Sequence, residues 1–305
     1  MTTEHPLHLG AARDAALDHA AAIVRKAWYE FDHPRPTEPQ DDPALSRLFQ
    51  QSLPSAGMDA LEALDIAANV LDHSYAQSRP RYLAFIGASG LEIGVLADLL
   101  VNTYDVNLAV DAKAASRVEE QALRWLGDYF GYPCDGGSFT SGGQVSNLTA
   151  LASARERLFP GTRRTGMHGV RATVYVSNEA HVSVHRAVEI LGIGSDSIRS
   201  IELDDRRRMD AAALRAQVAS DVAAGYSPMA VVATGGTTLT GAVDPIDSIA
   251  DVAAEFGMWL HVDGAYGLAA AGLESCAEIF AGLSRADSVS IDAHKWLFVP
   301  KAAAV

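Results

Sequence analysis

Two cysteines in 305 residues, Cys134 and Cys276, lack metal-type spacing and could form at most one bridge, which excludes a disulfide scaffold. Such sparse usage fits a reducing, cytoplasmic setting. Positive charge is scarce as well: 24 Lys and Arg stand against 38 Asp and Glu, and the net charge of -14 argues against a nucleic-acid or anionic-membrane surface. No apolar run approaches the roughly 18 residues of a membrane span. The opening Met1-Thr2-Thr3-Glu4-His5-Pro6 lacks the basic then apolar order of a signal peptide. Internal repeats and low-complexity tracts are missing too. What is present is an ordinary globular composition, 49% apolar and ample for a core, in a chain long enough for one large domain or two small ones.

Apolar residues at helical spacing predict an amphipathic helix over 11–31, and a connector rich in proline and charge follows from His33 to Pro43. Two more helical patterns lie near 44–50 and 58–73. Such an arm could hardly bury its apolar face alone, so residues 1–77 are expected to pack on the main domain, 78–305, or on a second subunit. Further helices are expected near 91–104, over Glu119 to Phe130, and from the polar, glycine-rich Ser138 to Leu148 on to about Leu158.

Beyond Gly161 strands and helices alternate. Strands are predicted at Ala172–Ser177, Ile198–Leu203, Met229–Ala233, Trp259–Val262 and Ser288–Ile291, with helices at His181–Leu191, Asp210–Ala224, Ile246–Phe256 and Ala277–Leu283. Strands that are apolar throughout, in such an order, predict an α/β fold with a mostly parallel sheet covered by helices on both faces.

Polar residues gather where three of these strands end: Thr234 to Thr238, His261 to Gly267, and Asp292 to Lys295. Open α/β sheets keep their ligand crevices at such ends. A lysine between His294 and Trp296, just after an apolar strand, could be partly desolvated, which favours the neutral amine that forms Schiff bases. Lys295 held by Asp292 in a buried ion pair is the other reading of the same stretch. Gly142 and Gly143 before a helix offer free N–H groups to a phosphate, or simply a turn. His181 and His185, four apart, could form a metal pair, but no third ligand stands near them.

Five motifs in order narrow these readings: Thr140-Ser141-Gly142-Gly143; His181-Val182-Ser183 with Leu191-Gly192; Gly236-Thr237-Thr238 with Gly241 to Pro245; His261-Val262-Asp263; and Asp292-Ala293-His294-Lys295-Trp296. From about Ser78 onward the chain resembles the group II pyridoxal-phosphate-dependent amino-acid decarboxylases, of the aromatic-L-amino-acid decarboxylase type. Arg79 to Phe85 resembles that family's substrate-side wall. The resemblance implies the aspartate-aminotransferase type of fold (fold type I), pyridoxal 5'-phosphate as cofactor, a homodimer, and conversion of an L-amino acid to its amine and CO2. It implies that Lys295 carries the cofactor as a Schiff base and that Asp263 pairs with the pyridine nitrogen, keeping it protonated as an electron sink. His181 would stack on one ring face and Ala265 on the other. Gly143, Gln144 and His294 would line the phosphate with Asp292 beside them, and Thr238 would lie near ring and substrate.

Some residues depart from the family pattern. Val145 stands where many members have glutamate, Gly264 replaces the usual alanine, and Ile86-Gly87 replaces a proline-containing stretch that shapes the pocket of animal aromatic decarboxylases. Trp296 favours the aromatic branch over the glutamate and diaminobutyrate branches. Another carbon–carbon lyase or aldehyde synthase using the same cofactor, or a cofactor-binding remnant without turnover, remains open. Ala302-Ala303-Ala304-Val305 reads as the opening of a further strand, so a fragment or a shortened relative is expected.

Overall fold

A computed structural model describes residues 8–33 and 42–305, so the opening residues and most of the proline-rich connector lie outside the described part. The chain divides into two compact units, one up to Ser89 and one from Gly90.

In the first unit, α1 (Arg13–Asp32) packs against α3 (Ala60–Asp72), with His19 Nε2 2.7 Å from Asp65 Oδ1, and α2 (Pro43–Leu48) lies between them in sequence. Aspartates start the two later helices: Asp42 accepts from the Ala44 N–H, and Asp59 from those of Leu61 and Glu62. Those donors would otherwise have no partner in the first helical turn.

The second unit opens with three helices, α4 (Glu92–Tyr104), α5 (Ala114–Phe130) and α6 (Gly143–Leu158), and a single turn, α7 (Thr162–Thr165). β1 (Ala172–Ser177), α8 (Val182–Ile190), β2 (Ile198–Ile201), α9 (Ala211–Ala223), β3 (Ser227–Thr234), α10 (Ile246–Phe256), β4 (Trp259–Asp263) and β5 (Ser288–Ser290) complete it. All strand pairs are parallel, in the order β2-β1-β3-β4-β5.

Alternation along the strands sorts the core into two layers. Tyr175, Val231, Ala233, Leu260 and Val262 pack with α9 and α10, whereas Val174, Val176, Ala230 and Val232 pack with α6 and α8. These side chains are almost wholly buried, and each contributes about 1.5–3 kcal/mol by leaving water if it is a full-sized aliphatic. Burial on both faces explains why β3 runs apolar from Met229 to Ala233 without polar alternation.

Two elements depart from the sequence reading. Ala277–Leu283 is no α-helix; Glu274–Phe280 and Leu283–Arg285 form tighter 3-10 turns, which stack against the core through Phe280 and Leu283. α5 starts at Ala114, five residues before the expected start at Glu119. Ala302–Val305, read as the opening of a further strand, makes isolated strand-like pairings: Ala304 bridges antiparallel to both Thr140 and Asp292, and Val305 exchanges backbone hydrogen bonds with Ile291.

Candidate active site

Register, more than any single residue, builds the site. β3, β4 and β5 end abreast, with Thr234 beside Asp263 and Asp263 beside Ser290. Period-two alternation turns His261 and Asp263 to the same sheet face, the one covered by α6. The loops leaving these ends, with the start of α6, enclose a cavity of about 280 Å³. Lys295, Asp263, His181, Thr238, Gly143, Gln144, Ala265, Asp292 and His294 all line it. Nine residues spread over more than 150 positions of the sequence are thus brought to one place.

At one wall, Lys295 Nζ lies 2.9 Å from Asp292 Oδ2, both side chains being largely buried. This is the ion pair weighed for the sequence. The second oxygen, Asp292 Oδ1, is buried without a hydrogen-bond partner. His294 Nδ1 bonds the Ala303 carbonyl at 2.9 Å, so the returning chain end fixes its ring. Gly143 meets the same wall: a Cβ built there would lie 3.0 Å from Asp292 Oδ1 and 3.3 Å from Ala265 Cβ.

The opposite side is a buried polar network. Asp263 Oδ2 accepts from Asn147 Nδ2 at 2.8 Å, and Oδ1 accepts from the Ala265 N–H at 3.2 Å. Asn147 Nδ2 also donates to Ser183 Oγ at 2.9 Å, while Asn147 Oδ1 receives Ser290 Oγ and His261 Nε2, each at 2.9 Å. His181 caps α8: its Nδ1 accepts the Ser183 N–H at 3.2 Å and bonds Ser183 Oγ at 2.8 Å, which leaves the neutral ring's proton on Nε2. Complete burial holds His261 below the ordinary histidine pKa, opposed in part by the nearby Asp263 charge.

Sequence reasoning did not single out Asn147 or Ser290, and it quoted His261 only as part of a motif. The available signal was the helical position of Asn147, one turn into α6 from Gly143, on the face that meets the sheet. Gly264, read as a departure, has a steric cause. A Cβ there would stand 2.5 Å from Leu268 Cβ and 2.9 Å from the Ser290 carbonyl oxygen, so alanine would not fit without movement.

An open parallel sheet with a lysine just past one strand and a buried carboxylate ending its neighbour is the arrangement of fold type I, the aminotransferase-like fold of pyridoxal-phosphate enzymes. The solved structure of mouse CSAD matches with a TM-score of 0.89 at 28% identity, covering 97% of this chain and 64% of that one. The rice (Oryza sativa) TDC structure with PLP and tryptamine matches with a TM-score of 0.89 at 26% identity, over 99% of this chain and 64% of that one.

The chain belongs to the pyridoxal-dependent decarboxylase family, whose conserved domain matches residues 44–304. It is 35% identical to an aromatic-L-amino-acid decarboxylase of Bacillus atrophaeus over 87% of this chain and 55% of the relative. Human cysteine sulfinic acid decarboxylase is 32% identical over 94% of this chain and 57% of the relative. An L-2,4-diaminobutyrate decarboxylase of Rhizobium meliloti is 36% identical over 81% and 50%. The chain therefore spans about half the length of the curated relatives it matches.

The cofactor of this family is pyridoxal phosphate, and the cavity fits it on three counts. The bare Gly143 leaves a cradle that a Cβ would fill, and the N–H groups of Gly143 and Gln144, the first two of α6, precede the first intrahelical bonds, which Val145 and Ser146 make to the Gly142 carbonyl. Across the cavity stands a buried carboxylate, Asp263, with no cation paired to it among the described residues. A primary amine, Lys295, completes the donor set.

Proposed function

We propose that this chain binds pyridoxal 5'-phosphate through Lys295 and, within the whole protein, removes the α-carboxylate of an L-amino acid to release its amine and CO2. The observation that carries this reading is the convergence of Lys295, Asp263, His181 and the Gly143 cradle on one cavity. When bound, the cofactor supplies an electron sink for the bond that breaks at Cα. Asp263 would hold the proton on the pyridine nitrogen. His181 would lie against one ring face, and Ala265 would close the other. Gly143, Gln144 and His294 would hold the phosphate, and Thr238 would face the substrate. Lys295 must shed its proton to attack a carbonyl, so its ion pair with Asp292 and its covalent attachment are alternative states of one side chain.

An aromatic substrate is the finer part of the proposal. Tyr266 lines the cavity and packs edge-on against Trp296, with ring centroids 4.8 Å apart, which offers an apolar aromatic wall. A homodimer is supported by α4, where Ile93, Leu99, Leu100, Val101 and Tyr104 are all more than half exposed. A cytoplasmic location fits the two unpaired cysteines. Among the described residues no helix is long and apolar enough to cross a membrane.

The test is borohydride reduction of cofactor-treated protein followed by peptide mapping. The label is expected on Lys295; Lys301, which also lines the cavity, is the rival, and a label there would sink the assignment. Incubating the full-length protein with a panel of amino acids then separates amine from aldehyde as product. Leu100→Glu is expected to lower the dimer fraction by light scattering, and an unchanged mass would refute the α4 interface.

A further inference from the structure

We propose that Asn147 is a positioning residue that orients Asp263 and His181 together, as the last link of a one-way hydrogen-bond relay running from Trp259 to Asp263. The inference rests on the cofactor reading above, because a role for the relay toward the pyridine ring requires that ring to lie against Asp263.

The direction of the relay follows from donor and acceptor inventories alone. An ionised carboxylate only accepts, so the Asn147 atom 2.8 Å from Asp263 Oδ2 must be the amide nitrogen. That fixes the amide oxygen toward His261, and since an amide oxygen only accepts, His261 Nε2 carries the ring proton at 2.9 Å. His261 Nδ1 is then an acceptor and takes the Ser288 hydroxyl proton, also at 2.9 Å. Ser288 Oγ in turn accepts from Trp259 Nε1 at 2.8 Å. Every link donates toward Asp263, and aligned hydrogen bonds of this kind polarise one another in a buried setting.

The tautomer carries information because the other one would also find an acceptor. The Ser288 carbonyl oxygen stands 3.2 Å from His261 Nδ1 and would be served by the other tautomer. It is passed over because Asn147 needs the proton on Nε2.

Asn147 is also fully used. Its two N–H groups go to Asp263 and Ser183, and its oxygen receives His261 and Ser290. Through Ser183 the same amide reaches His181 Nδ1. One side chain, 1% exposed, would therefore set both the carboxylate that pairs with the ring nitrogen and the imidazole that flanks the ring. Loss of it would move both at once.

The experiment has two arms on the full chain. The first uses 15N-histidine NMR without cofactor. Wild type is expected to show His261 neutral with the proton on Nε2, and Asn147→Leu to move that proton to Nδ1, where the Ser288 carbonyl accepts it. A wild-type His261 protonated on Nδ1, or on both nitrogens, would overturn the relay.

The second arm measures the Kd of pyridoxal phosphate and the pH dependence of its visible absorbance. Asn147→Leu is expected to weaken binding by at least about tenfold, the loss typical of a hydrogen bond to a buried charge. It should also alter the pH response, which reports charge on the ring. His261→Leu should shift both in the same direction. His261→Gln, whose amide can place an N–H where the imidazole Nε2–H lies, should restore most of the wild-type response. That rescue separates positioning from simple folding damage. Wild-type Kd and absorbance in both leucine variants would overturn the proposal even if the tautomer is as stated. Wild-type protein that shows the expected tautomer yet takes up no cofactor would instead overturn the cofactor reading, and the relay's role with it.

Discussion

Replacing Asp263 by asparagine separates chemistry from shape, because the two side chains are nearly the same size. In the folded protein the carboxylate accepts from Asn147 Nδ2 at 2.8 Å and from the Ala265 N–H at 3.2 Å, and it is 5% exposed. Asparagine offers one acceptor and one donor to these two donors, so one of them is left facing an N–H. A buried donor without a partner costs about 1–3 kcal/mol, offset in part because a buried charge is also removed. A denaturant titration of the ligand-free protein is therefore expected to show a loss near the lower end, about 1 kcal/mol. The effect on the cofactor is larger: a charge-assisted hydrogen bond is worth about 1.5–3 kcal/mol, or about 10- to 150-fold in affinity. Turnover of the full-length protein must be read at saturating cofactor, so that affinity is removed from the comparison. There, Asp263→Asn should be severely impaired although Lys295 is still trapped by borohydride. Asp263→Glu keeps the charge and should retain more activity if its extra methylene can be accommodated. Near-normal turnover in Asp263→Asn would mean that the carboxylate is only a network member, and the role assigned to it would fail.

Gly143→Ala would put a methyl group 3.0 Å from Asp292 Oδ1 and 3.3 Å from Ala265 Cβ, inside the cradle. Cofactor affinity is expected to fall; unchanged affinity would refute the cradle. Asp244 is buried and accepts the Met209 and Thr234 N–H groups at 2.6 and 2.7 Å, but burial outweighs them and raises its pKa to about 6 from 3.8. A carboxyl whose folded pKa is raised adds stability that is complete below its unfolded value and is lost as pH climbs through the folded one. The size is about 3 kcal/mol at most, over pH 4 to 6. Unfolding free energies at pH 4.5 and 7 should differ less in this sense for Asp244→Asn than for wild type, and equal pH slopes would count against it.

Much of this protein is legible in its sequence alone, for a physical reason. Helical and strand periodicities are local properties of the chain, so Ala172–Ser177 and Ile246–Phe256 could be read to the residue. The polar ends of β3, β4 and the segment after β5 stood out because strands buried on both faces are mostly apolar, so polar groups cluster where they stop. The motif at Lys295 and the one at Asp263 were visible on the same ground. What the tertiary structure alone decided is how distant residues satisfy one another. The four hydrogen bonds of Asn147 reach residues 36, 114, 116 and 143 positions away, and nothing local in Ser146-Asn147-Leu148 announces them. The absence of a side chain at Gly264 likewise depends on Leu268 and on the Ser290 carbonyl of a neighbouring strand. The stretch from Ala277 to Leu283 has helical spacing, yet it winds into 3-10 turns in which Phe280 and Leu283 reach the core. Propensity is a matter of a few tenths of a kcal/mol per residue, whereas burying one large apolar side chain is worth about 2 kcal/mol, so packing decides where the two conflict.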